Sequence, residues 1–512
     1  MRAQRVTVIG AGIGGLTAAL LLAARGLDVT VLERAPRIGG KMREVTVAGL
    51  PIDAGPTVFT MRWVFDEILA AAGARLDDHL ALRPVRTLAR HAWSATERLD
   101  LFADIAESAD AIGAFAGAAE ARGYLDFCAR ARRIHDALEP SFIRTERPSP
   151  LSLARKAGFG GLAAFWGVSP FASLWDALGK HFHDPRLRQL FGRYATYCGC
   201  SPFLAPATLM LIAHVEQSGV WLVEGGMHRI ARMLGALAEA MGATIRTEAE
   251  VSEITLRSGR ASGVLLADGE VIEADAVVCN SDAAALATGL FGDAARRAVP
   301  PAEPHSRSLS ALTWALVAEA EGFPLHRHTV FFGDDYAEEF DATFARGQLP
   351  AEPTVYVCAQ DRGDDATAPA GAERLLCLVN APPGGDRGHP DPQEIARCET
   401  RAFALMARCG LTLRRSPEAT ALTTPRDFDR LFPATGGALY GRSVHGWKAS
   451  FQRPGAATRL PGLYLAGGSV HPGAGVPMAA MSGRLAAERL WTDLASTRRS
   501  HATAMPGGIS MR

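Results

Sequence analysis

Apolar and polar positions along the chain fall into two periods, and the alternation between them predicts the elements. Residues 5–9 (RVTVI) are a short β-branched apolar run and predict a strand. The run enters glycines at 10–15 (GAGIGG), continues into an apolar helical stretch at 16–24, and returns as a strand at 28–32 (DVTVL) that ends on Glu33. From about 103 to 240 Ala, Leu and Arg dominate, and helices are expected. Residues 244–251 (TIRTEAEV) read as a strand, and 263–269 (GVLLADG) as part of a hairpin with an Asp-Gly turn. Residues 274–280 (ADAVVCN) are apolar without alternation, as in a parallel strand buried on both faces. Between about 300 and 425, strands at 310–318, 354–358 and 375–380 alternate with loops rich in Pro, Gly and Asp. Residues 462–490 return to strand, glycine loop and helix.

This order predicts an α/β fold with mixed α+β character. A discontinuous nucleotide-binding domain is expected from 1–85, 220–295 and 425–495. A helical lid or membrane-contact region (86–219) and a β-sheet substrate domain (296–424) interrupt it. Residues 496–512 are polar, basic and glycine-rich and are expected to form a disordered tail. The length of 512 residues suits two or three folding units.

The first forty residues carry a dinucleotide-binding fingerprint in full context, strand to glycine loop to helix to strand. Gly10 permits the tight turn, Gly12 lets backbone approach a pyrophosphate, and Gly15 lets the helix pack close to the strand. Gly14 completes the loop, and the helix N-terminus faces the phosphates. Glu33 lies 18 residues past Gly15, placed to accept from a ribose 2′-OH and to repel a 2′-phosphate. FAD and NAD both remain open at this point.

The following residues bear on that choice. Arg34 and the run Arg37-Ile-Gly39-Gly40-Lys41 follow the acid, and Asp53-Ala-Gly55-Pro56-Thr57 lies just beyond. Both resemble the extensions of FAD enzymes of the amine oxidase and carotenoid desaturase type. Residues 463–487 (LYLAGGSVHPGAGVPMAAMSGRLAA) resemble the C-terminal signature of bacterial-type phytoene desaturases. Residues 220–234 (VWLVEGGMHRIARML) and 183–203 (HDPRLRQLFGRYATYCGCSPF) resemble two further signatures of that family. Residues 438–455 (ALYGRSVHGWKASFQRPG) depart from the common pattern and look like the branch that acts on 1-hydroxy carotenoids.

The resemblance implies a Rossmann-like FAD-binding domain with non-covalent FAD. Its cofactor contacts would be Gly10, Gly12, Gly14, Gly15, Glu33, Arg34, Gly39, Gly40, Lys41, Pro56, Thr57, Val251, Gly467, Gly468, Gly475, Val476, Pro477 and Met478. It implies an oxidoreductase of carotenoid biosynthesis that introduces a C-3,4 double bond into an acyclic 1-hydroxy carotenoid. The hydride passes to FAD and a proton is lost, and oxygen or a quinone reoxidises the flavin. A carotenoid resides in lipid, so a cytoplasmic enzyme peripheral on the inner membrane, with monotopic contact, is expected. An amine oxidase, a carotenoid isomerase using reduced FAD, a phytoene desaturase and a non-redox lipid escort are the rival readings. Residues 471–475 (HPGAG) weigh against the amine oxidase, and the intact fingerprint with Glu33 against the escort.

Composition narrows the classes further. Lys+Arg and Asp+Glu both number 54, so no basic footprint points to nucleic acid. Eight cysteines include no CxxC pair; Cys198-Gly-Cys200 reads as packing, and the usage suits a reducing cytoplasm. The N-terminus runs directly into the first strand, and no secretory signal is expected. Residues 157–175 and 198–213 are uncharged but too rich in Gly and Pro for a spanning helix. They read as buried core, or as a membrane-contacting tunnel mouth with Trp166 and Trp175 near the headgroups. Trp166, Phe171, Trp175 and Phe203 are candidates for a tunnel wall or for core packing. His228, His445 and His471 lie in cofactor-side motifs, for proton transfer or for structural hydrogen bonding. His181 with His183, and His326 with His328, lack a third ligand, and no metal is expected.

Overall fold

The structure, a computed structural model, describes residues 4–146, 172–301 and 303–502. Its first sheet is parallel and five-stranded, in the order Thr244–Arg246, Asp28–Leu32, Arg5–Ile9, Ala276–Cys279, Leu463–Leu465. The strands come from distant parts of the chain, and both faces are covered, which explains their unbroken apolar runs. Over one face lies the helix Ile13–Ala23, every residue of it buried. That helix packs against His228–Ala240 and Val476–Ala502. Over the other lies a three-stranded antiparallel ribbon whose Ile254 and Val264 share a core with Ile9, Leu32 and Val277.

The ribbon corrects one expectation. Residues 244–251 are two strands, not one. Thr244–Arg246 joins the parallel sheet and Val251–Arg257 the ribbon. Between them Glu248 adopts φ 55°, and the Ala249 N–H donates to the Glu33 carbonyl (2.9 Å), so the chain turns away.

A second, eight-stranded sheet is mainly antiparallel. Its path is Thr412–Arg414, Ser310–Glu321, Glu373–Ala381, Val355–Ala359, His328–Phe331, Thr87–Ala92, Arg98–Phe102, with Thr420–Thr423 also paired to Ser310–Glu321. Residues 87–102, placed above in the helical region, are therefore strands of this sheet. TLARHA mixes polar and apolar residues without a clear period, and the alternation in RLDLF, buried at Leu99 and Leu101, is only five residues long. Arg90 pairs with Asp100 across the strands (2.7 Å), and the parallel partner His328–Phe331 lies far along the chain.

Helices Ile105–Ala116, Ala118–Leu138 and Pro185–Gly192 build a separate aromatic-rich core, in which Phe182 and Phe191 stack at 4.7 Å. The strand Val220–Val223 leaves this region to pair with Phe59–Thr60 and Leu82–Pro84. The last helix continues past Ser496 to Ala502, beyond the expected start of the tail; residues 503–512 lie outside the described residues. Most of the uncharged 157–175 stretch, with Trp166 and Phe171, also lies outside them. Among the described residues no helix is long and apolar enough to cross a membrane.

Candidate cofactor and substrate cavity

The strand-to-helix turn at the carboxyl ends of the parallel strands is shaped by what glycine leaves out. Gly10 sits at φ 93°, and a Cβ on Gly15 would stand 2.1 Å from the Gly10 carbonyl oxygen. A Cβ on Gly14 would stand 2.7 Å from the Gly467 nitrogen, so the N-terminal and C-terminal glycine loops meet here. Gly467 donates its N–H to Ser482 Oγ (2.7 Å), which ties the second loop to the last helix. The Glu33 carboxylate accepts from the N–H groups of Ala11 (2.8 Å) and Ala35 (2.9 Å). Each oxygen keeps acceptor capacity for a ribose hydroxyl.

Asn280, which sequence reasoning missed, stands between the two loops. Its Nδ2 donates to the Gly10 carbonyl (3.3 Å), while its buried Oδ1 has no partner among the described residues. A buried amide oxygen left without a donor, beside a glycine cradle that any Cβ would fill, fits a dinucleotide seated in this turn.

A cavity of about 780 Å³ opens from this turn, and every predicted cofactor residue except Gly15 lines it. Gly15 acts by close packing. Lys41 Nζ donates to the Leu439 carbonyl (2.8 Å) and lies 5.3 Å from the Phe432 ring centre. Burial pushes the Lys41 ammonium down from its usual range, with Asp282 opposing. Arg34 donates to the Leu431 carbonyl (2.6 Å). Arg453, also missed, is buried and donates to the carbonyls of Gly468 (2.9 Å), Tyr440 (2.9 Å) and Arg442 (2.7 Å), bracing the C-terminal glycine loop. Asp53 accepts from the N–H groups of Met227 (2.7 Å) and His228 (3.2 Å), so it caps the helix His228–Ala240 from outside.

None of the three candidate histidines lines the cavity. His228 Nε2 donates to the Ile38 carbonyl (2.9 Å), and His471 Nε2 to the Phe142 carbonyl (2.8 Å). His445 Nε2 accepts from the Ser201 N–H (3.1 Å). Burial lowers His445 and His471 to about 4, which keeps both neutral. These are structural hydrogen bonds that link cofactor-side segments to their neighbours. Compared per bound flavin, His445→Ala and His471→Ala proteins are expected to reduce flavin within about tenfold of wild type. Removing a general acid or base costs about 10²–10⁴-fold. Anaerobic stopped-flow reduction checks this, and a loss in the larger range at either position would restore its proton-transfer role.

Beyond Pro56 and Thr57 the cavity wall turns apolar and aromatic, with Phe142, Leu209, Ile212, Leu376 and Phe451. Trp175 and Phe203 stack on each other at 4.7 Å and lie outside that wall, so both belong to packing and not to a tunnel. All eight cysteines are free, and Cys200 accepts from the Val444 N–H (3.1 Å), a packing role. Away from the cavity, His135, Asp136 and His214 bring ligand atoms within 4.8 Å of one another. This grouping joins two helices and leaves no trace in local spacing.

The chain has counterparts among known proteins. Residues 13–491 match the family described as flavin containing amine oxidoreductase. Hydroxyneurosporene desaturase of Rubrivivax gelatinosus is 59% identical over 513 residues, with 100% of this chain and 98% of that protein covered. The protein of the same name from Cereibacter sphaeroides is 47% identical, covering 97% of this chain and 99% of its own. Among solved structures, putrescine oxidase bound to putrescine superposes with a TM-score of 0.58 at 16% identity, over 96% of this chain and 99% of that one. A CLA-producing fatty acid isomerase from P. acnes gives 0.56 at 14% identity, over 95% and 98%. At these identities the structural likeness is one of fold.

Proposed function

The chain belongs to the flavin-containing amine oxidoreductase family, and from that membership we propose that it introduces the C-3,4 double bond into an acyclic 1-hydroxy carotenoid. It is an FAD-dependent oxidoreductase. The observation that carries the substrate reading is one continuous cavity, running from phosphate-binding glycines to an apolar, aromatic wall. A protonated amine needs a polar or aromatic partner at its nitrogen alone; a polyene needs an apolar wall along its whole length and exclusion of water.

Gly12 and Gly14 in the first loop and Gly468 and Gly475 in the second would offer backbone N–H groups to the phosphates, Glu33 would take the ribose, and Lys41 would stand nearby. FAD, when bound, supplies the acceptor for the hydride that leaves one of two adjacent saturated carbons. The positive charge left on the substrate is delocalised along the polyene, so little electrostatic stabilisation is asked of the protein. The apolar wall instead positions the chain and keeps water from adding to the cation before the neighbouring carbon releases its proton. The substrate partitions into lipid, which supports a peripheral position at the membrane surface. Oxygen or a quinone serves as the final electron acceptor.

Anaerobic incubation of FAD-loaded protein with a 1-hydroxy acyclic carotenoid in liposomes tests the reading. Bleaching of the flavin band together with a red-shifted polyene spectrum is the expected result. A polyene change without flavin reduction would favour isomerisation. Reduction by phytoene and not by the hydroxylated chain would overturn the substrate.

A further inference from the structure

The apolar part of the cavity contains a charged side chain that hydride removal from a hydrocarbon does not need. Arg193 lies on the turn Arg193–Cys198, with its guanidinium carbon 5.4 Å from the Tyr197 ring centre and 5.3 Å from that of Tyr356. Its one hydrogen bond among the described residues is a long one, Nη1 to the Tyr197 hydroxyl at 3.3 Å, and it forms no ion pair there. The other cations on the cavity wall are committed. Arg34, Lys41 and Arg453 donate to backbone carbonyls, and Arg43 donates to Thr423 Oγ1 (3.0 Å). Arg193 donates to no backbone carbonyl through its guanidinium among the described residues, and most of its five N–H donors are left for a ligand in the cavity.

Its surroundings are built as a polar subsite. Glu216 lines the same wall and accepts from the Tyr194 hydroxyl (2.8 Å). Tyr197 is 36% exposed, and the cavity is what it is exposed to. The Tyr356 hydroxyl is spent on Thr57 Oγ1 (2.6 Å) and His328 Nδ1 (2.8 Å). Thr57 belongs to the turn assigned to the cofactor, so Arg193 stands one aromatic ring away from the cofactor side.

We propose that Arg193 and Tyr197 bind the tertiary hydroxyl of the substrate and so set the specificity for hydroxylated over hydrocarbon chains. The inference rests on the desaturase reading above. Distance supports it. A hydroxyl on C-1 is separated from C-3 by two C–C bonds and one C–O bond, so its oxygen lies about 3–4 Å from C-3 and within about 5 Å of C-4. Its partner must flank the cofactor side, where Arg193 stands. The hydroxyl oxygen accepts from the guanidinium, and its own proton has the Glu216 carboxylate as acceptor. A chain lacking the hydroxyl would put apolar surface against the guanidinium donors that Tyr197 does not use, and sites of that kind reject the deficient analogue strongly.

The test compares holoenzyme with Arg193→Met, Arg193→Lys and Tyr197→Phe proteins. Each is given a 1-hydroxy acyclic carotenoid or its dehydroxy hydrocarbon in phosphatidylcholine liposomes, and the readout is anaerobic flavin reduction per bound flavin. Wild type is expected to favour the hydroxylated chain by about 100-fold or more in kcat/KM. Arg193→Met should cut that ratio at least tenfold, mainly through KM, with the flavin spectrum unchanged. Arg193→Lys should recover part of it, and Tyr197→Phe should reduce it several-fold. An unchanged ratio, or equal losses on both chains, would overturn the subsite. An Arg193-dependent preference for a polyunsaturated fatty acid would replace the hydroxyl with a carboxylate and also overturn it. Wild type that reduces its flavin with neither carotenoid would instead sink the desaturase reading, and the subsite with it.

Discussion

A Gly15→Ala protein should bind FAD about tenfold more weakly than wild type, or worse. The added methyl would stand 2.1 Å from the Gly10 carbonyl oxygen, a backbone atom that cannot rotate aside. Gly10 is itself fixed, because its N–H donates to the Leu32 carbonyl (2.7 Å). The helix Ile13–Ala23 is buried on all sides, so it cannot slide outward without breaking contact with Val476–Ala502. Overpacking of this kind costs about 1–3 kcal/mol, and often more against backbone. The displaced helix N-terminus would also carry the phosphate-facing N–H groups with it. Since about 1.4 kcal/mol is tenfold in affinity, the Kd for FAD should rise about tenfold or more. The flavin-to-protein absorbance ratio and the thermal midpoint measure this directly. Full loading at an unchanged midpoint would mean that the turn does not hold the cofactor as described.

The second large effect is acid lability. His91, His328 and His471 are 5%, 4% and 3% exposed, and burial lowers them to about 3, 3 and 4 from a usual value near 6.5. Arg193 adds to the shift at His91, and Arg327 to that at His328. Below about pH 6.5 the unfolded chain takes up three protons that the folded chain refuses, so stability falls as pH falls. The slope approaches about 1.4 kcal/mol per pH unit for each group, or roughly 4 together, between about pH 6 and pH 4. Asp53, Glu216 and Glu339 pull the other way. Burial raises their carboxyls, so they bind protons in the folded state and offset part of the loss as the pH approaches their range. Urea midpoints at pH 7, 6 and 5 should drop steeply. A flat series would show that the three imidazoles are reached by water or protonate without unfolding.

What could be read along the chain followed from strength of local pattern. Residues 5–9 and 276–279 are unbroken β-branched and apolar runs because both faces of their sheet are covered, and both were legible. The glycine loops were legible because close backbone approach leaves a composition no other residue can mimic. Residues 87–102 were not, since their strands are short, carry Arg90, His91 and Asp100, and gain an apolar setting only from His328–Phe331. Asn280, Arg453 and Ser482 hold the glycine loops in place, yet each acts alone, from a position whose importance exists only after distant segments meet. Arg193 follows the same rule. One arginine in a helical stretch is unremarkable until the cavity around it proves apolar. For the histidines the chain left two roles open, because a cofactor-side motif brings an imidazole into the neighbourhood without saying which way its ring turns.

The parallel sheet has a consequence for biosynthesis. Its central strand, Arg5–Ile9, leaves the ribosome long before its neighbour Ala276–Cys279, far along the chain. The edge strand Leu463–Leu465 and the glycines beyond it come later again by a comparable stretch. Until then the nascent chain exposes unpaired, apolar strand edges of the kind that aggregate, and the long sequence separations make their pairing slow. Because both glycine loops line one cavity, flavin capture should wait for the second of them. Yield in a heterologous host should respond to chaperone supply and riboflavin at the close of synthesis more than to codon choice near the start.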